Sequence, residues 1–254
     1  MKLKLLRNAT LKLDYGGRTF LIDPDFGPRH SRRSFTGRSE NPMVELPEPI
    51  EDIIAGVDTV IVSHLHADHF DEVAKERLPK GLPLICRPGD EQAIAEAGFT
   101  AITPIECFVR LGSIVVTRHP AQHGTGAVVD KMGPVMGLGF EAPGEPSLYW
   151  CGDSVLYEPL SDAVAATDPD VIVTHSCGAR WDDTLIVMDD AQTLELAEKH
   201  PGATVIATHM EALDHATISR AALREAAEKR GIGPQRLRIP ADGETIEIKA
   251  PALV

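Results

Sequence analysis

Apolar and polar positions alternate with a period of two near the N-terminus. Residues 2–7, 10–15 and 18–23 read as three short strands, and Tyr15-Gly16-Gly17-Arg18 supplies a hairpin turn. From 25 to about 49 no regular period is present, which is long for a connection in a compact domain and marks the segment as a candidate functional loop. The apolar run Val60-Ile61-Val62 then predicts a buried strand over 58–63. Residues 68–78 read as a helix closed at Lys80-Gly81, and 83–87, 90–97 and 101–105 as strand, helix and strand. Segments 107–111 and 113–118 form another predicted hairpin.

The second half repeats the theme. Strands at 136–142 and 147–152 flank Pro143-Gly144-Glu145-Pro146, and 170–174 and 203–208 are further strands. Asp189 caps a helix over 190–200. The clearest amphipathic helix spans 218–230, with Ala221, Leu223, Ala226 and Ala227 on its apolar side and Gly231 as its stop. Short strands close the chain at 236–239 and 244–248. Hairpins and helices mixed in this way predict an α+β fold, two sheets packed face to face with helices outside, or αββα. No linker divides the chain, so residues 1–254 read as a single domain.

Chemistry concentrates at His64-Leu65-His66-Ala67-Asp68-His69, directly after the run Val60-Ile61-Val62. Imidazole and carboxylate are ligands for zinc and its first-row neighbours. In extended backbone His64 and His66 point to one side and so can grip one ion together, while the turn that follows leaves Asp68 and His69 to reach a second.

Composition narrows the field. The chain has 254 residues, 25% charged and 43% hydrophobic, the profile of a globular protein with a sizeable core. A formal net charge of −13 repels phosphate backbones and argues against a nucleic-acid partner. Four cysteines, Cys86, Cys107, Cys151 and Cys177, lack CxxC spacing, which points to a reducing compartment rather than a disulfide framework. Cys151 reads as a buried thiol. No run approaches membrane-spanning length, and the first residues do not form a signal peptide, so the expectation is a cytoplasmic protein with no membrane partner. Nothing in the pattern excludes a homo-oligomer.

The motif His64-x-His66-x-Asp68-His69 resembles the signature of the metallo-β-lactamase superfamily. Asn8 to Leu13 and Phe20-Leu21-Ile22-Asp23-Pro24 are similar to the opening hairpin of its ascorbate-6-phosphate-lactonase-like branch. Ala121-Gln122-His123, Gly152-Asp153-Ser154 and Ala207-Thr208-His209 follow in the order in which that superfamily places its later ligands. The resemblance implies the same αββα architecture and a dinuclear site. In it His64, His66 and His123 bind one ion, Asp68, His69 and His209 the other, and Asp153 bridges them. Two divalent ions are implied, zinc by default, with manganese and iron also compatible with this donor set. The function implied is hydrolysis of a small lactone, ester or phosphodiester by a metal-bridging hydroxide, with Asp68 orienting that hydroxide and shuttling its proton. The alternative on the same scaffold is a mononuclear-iron, oxygen-using enzyme of the sulfur dioxygenase type. The presence of both Asp68 and His69 favours a second ion and hence hydrolysis.

Other histidines compete for roles. His119 shares a face with His123 but reads as structural or as a support. His175, ending a strand, is a candidate to support the site, and His215, beyond a turn from His209, a candidate to touch substrate. His200 sits at a helix end, where a cation suits the helix dipole. Finally, Arg29, Arg32, Arg33 and Arg38 fall within a segment that has no acid, in an otherwise acidic chain. Arginine suits carboxylate and phosphate, so the expectation is an anionic substrate contacted by Arg29, Arg32 and Arg33.

Overall fold

The computed structural model describes residues 1–34 and 36–250. Strands β1 (Lys2–Arg7), β2 (Thr10–Tyr15) and β3 (Arg18–Ile22) form an antiparallel meander. Helix α1 (Ile50–Ile54) leads into β4 (Thr59–Val62), every residue of which is buried. Helix α2 (Glu72–Arg77), β5 (Leu84–Cys86), α3 (Glu91–Glu96) and β6 (Ile102–Pro104) follow, and β3 through β6 pair in parallel. Strands buried on both faces read as near-continuous apolar runs, which is why Val60-Ile61-Val62 shows no alternation.

The second sheet has the same plan. Strands β7 (Phe108–Leu111) and β8 (Ile114–His119) form a hairpin, helix α4 (Val128–Met132) follows, and β9 (Gly137–Glu141) and β10 (Leu148–Trp150) extend the antiparallel part. Helix α5 (Glu158–Thr167) crosses to β11 (Val171–His175). A two-stranded excursion, β12 (Arg180–Trp181) and β13 (Thr184–Leu185), precedes α6 (Asp190–Lys199), β14 (Thr204–Thr208), α7 (Arg220–Lys229) and β15 (Leu237–Arg238). Strand β16 (Thr245–Glu247) then returns to pair with β1. Each large sheet has seven strands, in the orders β16-β1-β2-β3-β4-β5-β6 and β15-β14-β11-β10-β9-β8-β7.

Three apolar cores hold the layers. The central one lies between the sheets and includes Phe20, Ile61, Phe140, Trp150 and Ile206. One outer core packs α5, α6 and α7 on the second sheet through Leu160, Leu194 and Leu223. The other packs the first sheet against Ile53, Ala74 and Ile94 of α1, α2 and α3. The result is the αββα sandwich expected from the pattern.

Several local expectations need correction. The helix expected from 68 begins at Glu72, because the Asp71 carboxylate accepts the Ala74 N–H (2.8 Å) and caps it there. The preceding residues form a tight turn in which His69 N–H and Phe70 N–H both donate to His66 O (2.9 and 3.0 Å). Helix α5 was not expected, although Leu160 and Val164 stand four apart and proline follows its first residue. It ends at Asp168 in the left-handed region (φ 41°) rather than at a glycine, so the usual stop signal is missing.

Candidate metal centre

The residues of interest converge at the carboxyl ends of strands from both sheets. His64 lies two residues beyond β4, His123 four beyond β8 and Asp153 three beyond β10. His175 is the last residue of β11, and His209 directly follows β14. Parallel strands deliver loops to one edge, so residues far apart in sequence meet there. Candidate ligand atoms of His64, His66, His123 and Asp153 lie within 4.8 Å of one another, as do those of His69, Asp153, His175 and His209. Asp153 belongs to both groups. Its Oδ2 lies 3.2 Å from His69 Nε2 and 3.3 Å from His123 Nε2, and its Oδ1 lies 3.4 Å from His209 Nε2. Asp68 joins the second group, with Oδ2 at 3.3 Å from His209 Nε2 and 3.5 Å from His69 Nε2.

The surroundings aim the rings. His64 Nδ1 bonds Ser63 Oγ (3.0 Å), His69 Nδ1 bonds Asp23 Oδ2 (2.7 Å) and His123 Nδ1 bonds Ile186 O (2.8 Å). With Nδ1 engaged in each, Nε2 is the atom turned inward, the arrangement that outer partners impose on metal-ligating histidines. His64 Nε2 is buried and has no hydrogen-bond partner. A buried polar atom left that way costs about 1–3 kcal/mol unless something else binds it, and a cation among these donors would do so. The donor set therefore fits divalent metal.

Electrostatics agree. Burial acts to raise the Asp153 carboxyl, but His69, His209 and His123 outweigh it and hold the group well below the usual carboxylate range. Asp68 is held low against burial in the same way by His69 and His209. Burial, with His69 and His66 close by, keeps His64 neutral, well below its ordinary value. Burial would lower His69, but Asp153, Asp68 and Asp23 raise it to about 10. The cluster thus carries ionised carboxylates that draw positive charge inward.

The structure separates the remaining histidines. His175 Nδ1 bonds Asp153 Oδ1 at 2.6 Å, so it supports the shared carboxylate. His215 lines the cavity above the cluster, with Nδ1 3.8 Å from Asp214 Oδ1. His119 stacks on Tyr149 (centroids 4.6 Å apart) away from the cluster and fills the space over Gly139, where a Cβ would lie 2.5 Å from its Nε2. Cys151 is buried in the outer core beside α5 and α6, and burial pushes its thiol far up.

The arginine expectation changes. Arg32 is not available to substrate, because its Nη1 and Nη2 donate to Asp25 Oδ1 and Oδ2 (2.6 and 2.9 Å). Neither Arg29 nor Arg33 lines the cavity; Arg38 and Thr36 from the same segment do. The sequence reading also missed Asp23. Its carboxylate is fully buried and accepts from Ser63 N–H and Ser63 Oγ–H (2.7 Å each) as well as engaging His69. An acid ending a strand next to the motif strand was the available signal.

Comparison with known proteins gives consistent results. The family model described as "Beta-lactamase superfamily domain" matches residues 18–210. The UPF0173 protein YddR of Bacillus subtilis is 34% identical over 252 residues, covering 96% of this chain and 99% of that protein. A UPF0173 metal-dependent hydrolase of Azorhizobium caulinodans is 27% identical over 171 residues, 63% of this chain and 66% of its own. Among solved structures, isothiocyanate hydrolase from Delia radicum gut bacteria superposes with a TM-score of 0.92 at 35% identity, covering 98% of this chain and all of that one.

Proposed function

This chain belongs to the β-lactamase superfamily, and on that premise we propose that residues 1–254 form one hydrolase domain with a two-ion centre acting on a small molecule. The observation that carries the reading is the single carboxylate, Asp153, shared by two groups of inward-facing imidazoles. His64, His66 and His123 would hold one ion, and His69, His209 and Asp68 the other. Two divalent ions held there, zinc first among the candidates, would lower the pKa of bound water towards neutrality and polarise a carbonyl, thiocarbonyl or phosphoryl group. The chain's own residues do the rest. Asp153 fixes the separation of the two ligand groups, and His175 fixes Asp153. Asp68, the most exposed of the carboxylates at the cluster (14% of its side chain), faces the cavity and is placed to take the proton released when water attacks. Ser63, Asp23 and the Ile186 carbonyl keep the imidazoles from rotating.

Substrates with an electrophilic carbon or phosphorus fit this chemistry: a lactone, another ester or a phosphodiester. The heterocumulene carbon of an isothiocyanate, the substrate named for the 35% identical solved relative, is electrophilic in the same sense. The oxygen-using, mononuclear-iron alternative is not favoured, since the donors for a second ion are all present.

Elemental analysis of the purified protein, followed by a panel of lactones, phosphodiesters, thioesters and isothiocyanates, tests the reading. We expect about two ions per chain. His209→Ala should retain only one of them, whereas His215→Ala should retain both. Full turnover with a single ion, or loss of an ion from His215→Ala, would overturn the assignment.

A further inference from the structure

The cavity above the cluster, about 790 Å³, is lined by two kinds of side chain at two depths. Its inner wall is apolar. Met132 from α4, with Ile186 and Val187 just beyond β13, is buried, and together with Cys177 and Ala179 they form a small core separate from the three that hold the sheets. Trp181 of β12 is partly buried against that core. The outer rim is cationic. Arg38, Lys131 and Arg180 are exposed and come from three different segments, with the exposed Asp182 beside them. In a chain of net charge −13, three cations meeting at the mouth of one cavity reverse the background sign.

Rim and wall are physically joined. Lys131 Nζ lies 5.8 Å from the Trp181 ring centroid, which sets a cation at the edge of an apolar face. Arg38 sits on a strap fixed from below. The Asp214 carboxylate accepts from Ser34 Oγ (2.6 Å), from Thr36 Oγ1, from the Arg38 and Ser39 N–H groups (3.1 Å each) and from Asn41 Nδ2 (3.3 Å). Arg180 Nη1 donates to Asp183 O (2.8 Å), which ties it to its own hairpin turn.

Resting on the hydrolase reading above, we propose that the substrate has three parts in register with this depth profile. The scissile group lies over the metal ligands, a flat apolar body lies against Trp181, Met132 and Ile186, and an anionic end lies among Arg38, Lys131 and Arg180. A cavity of this volume accommodates a molecule of that length. The apolar wall contributes affinity by burying the body of the substrate. Exposed ion pairs contribute up to about fivefold each and are weakened by salt, so the rim selects among substrates rather than holding them.

Two probes separate the parts: benzohydroxamate, whose hydroxamate chelates the metal pair, and 4-carboxybenzohydroxamate, which adds an anion at the far end of the ring. Both are titrated by calorimetry into the metal-loaded protein. At low salt the carboxylated probe should bind about tenfold tighter, and the advantage should shrink at about 0.5 M salt. The combined variant Arg38→Gln, Lys131→Gln, Arg180→Gln, all at exposed positions, should erase that advantage while leaving benzohydroxamate within about twofold. Trp181→Ala should weaken both probes by about tenfold, and Met132→Gln should weaken them in the same direction. Equal affinity for the two probes in the unmodified protein, or an advantage that survives the triple variant, overturns the anionic end. Unchanged affinity in both Trp181→Ala and Met132→Gln overturns the apolar body. If neither hydroxamate binds a protein that carries its metals, the open two-ion centre itself is wrong and the inference falls with it.

Discussion

Replacing Asp23 by Asn is the most direct test of how the centre is held. The Asp23 carboxylate is fully buried, and Oδ2 both accepts from Ser63 Oγ–H and faces His69 Nδ1, each at 2.7 Å. Asparagine keeps the shape, and it tolerates the left-handed backbone that Asp23 adopts (φ 48°). With its amide oxygen at the Oδ1 position it still accepts the Ser63 N–H, and its N–H₂ then takes the Oδ2 position, facing both His69 Nδ1 and Ser63 Oγ. Two donors then meet at His69 unless the imidazole moves its proton to Nε2, the atom that faces the second group of ligands. Loss of such an outer partner lowers metal affinity by about 10–100-fold, which is about 1.4–2.8 kcal/mol. The ion held by His69, His209 and Asp68 should bear that loss. The ion held by His64, His66 and His123 should change by less than about threefold, since Asp23 reaches that group only through Ser63. Competition against a chromophoric chelator resolves the two steps. Affinities for both ions within about threefold of the unmodified protein would refute the reasoning.

Asp25→Ala should cost about 3 kcal/mol of stability in urea unfolding, because it leaves the fully buried Arg7 without its carboxylate (3.3 Å) and frees Arg32. The value sits at the low end for a broken buried pair, since Arg7 still donates to Val44 O (3.1 Å) and to the residue-25 carbonyl (2.9 Å); a loss below about 1 kcal/mol would show that the pair does not hold the loop. Burial acts against the charged Asp214 carboxylate, yet the donors from Ser34, Thr36, Ser39 and Asn41 hold it far below its ordinary value of 3.8. A depressed acid stabilises the fold above its unfolded pKa and loses that contribution as pH falls through the folded one, so the stability advantage over Asp214→Asn should be full at pH about 6 and shrink steadily below about 4. An advantage independent of pH across that window would contradict it.

The legible parts of this molecule were those encoded locally. The His64–His69 motif needs only a strand, a turn and their side-chain period, and its three histidines and Asp68 all lie at the cluster. His123, Asp153 and His209 were reachable because each directly follows or closely trails a recognisable strand. Asp23 was not, although it stands in the sequence as plainly, because its role depends on β3 and β4 lying side by side, with Asp23 N–H donating to Ile61 O (2.8 Å). Arg32 shows the opposite failure. A basic run without acids reads as a free patch, yet Asp25, seven residues earlier, turns back to neutralise it. Charge composition over a segment does not say which charges are already paired. The cavity walls were the least legible, because Arg38, Lys131 and Trp181 share no periodicity and meet only through the tertiary fold.

The backbone around the cluster shows why these particular residues stand there. Asn8 (φ 57°), Asp23 (φ 48°) and His209 (φ 63°) all occupy the left-handed region, which costs a non-glycine residue about 1 kcal/mol, less for Asn and Asp. Glycine would remove that cost at each position, but it would also remove the side chain the site uses. Asn8 Nδ2 donates to Asp68 O and Oδ2 (3.2 and 3.3 Å), and Asn8 O accepts the His209 N–H (2.9 Å). One left-handed residue thus fixes both Asp68 and another left-handed residue, His209, while Asp23 fixes His69. All three of the groups assigned to the second ion are therefore positioned by strained turns, whereas His64 and His123 of the first are held by ordinary hydrogen bonds to Ser63 and Ile186. The second ion's site depends on more contacts between distant segments, and under partial unfolding or mild chelation its ion should be the first to leave.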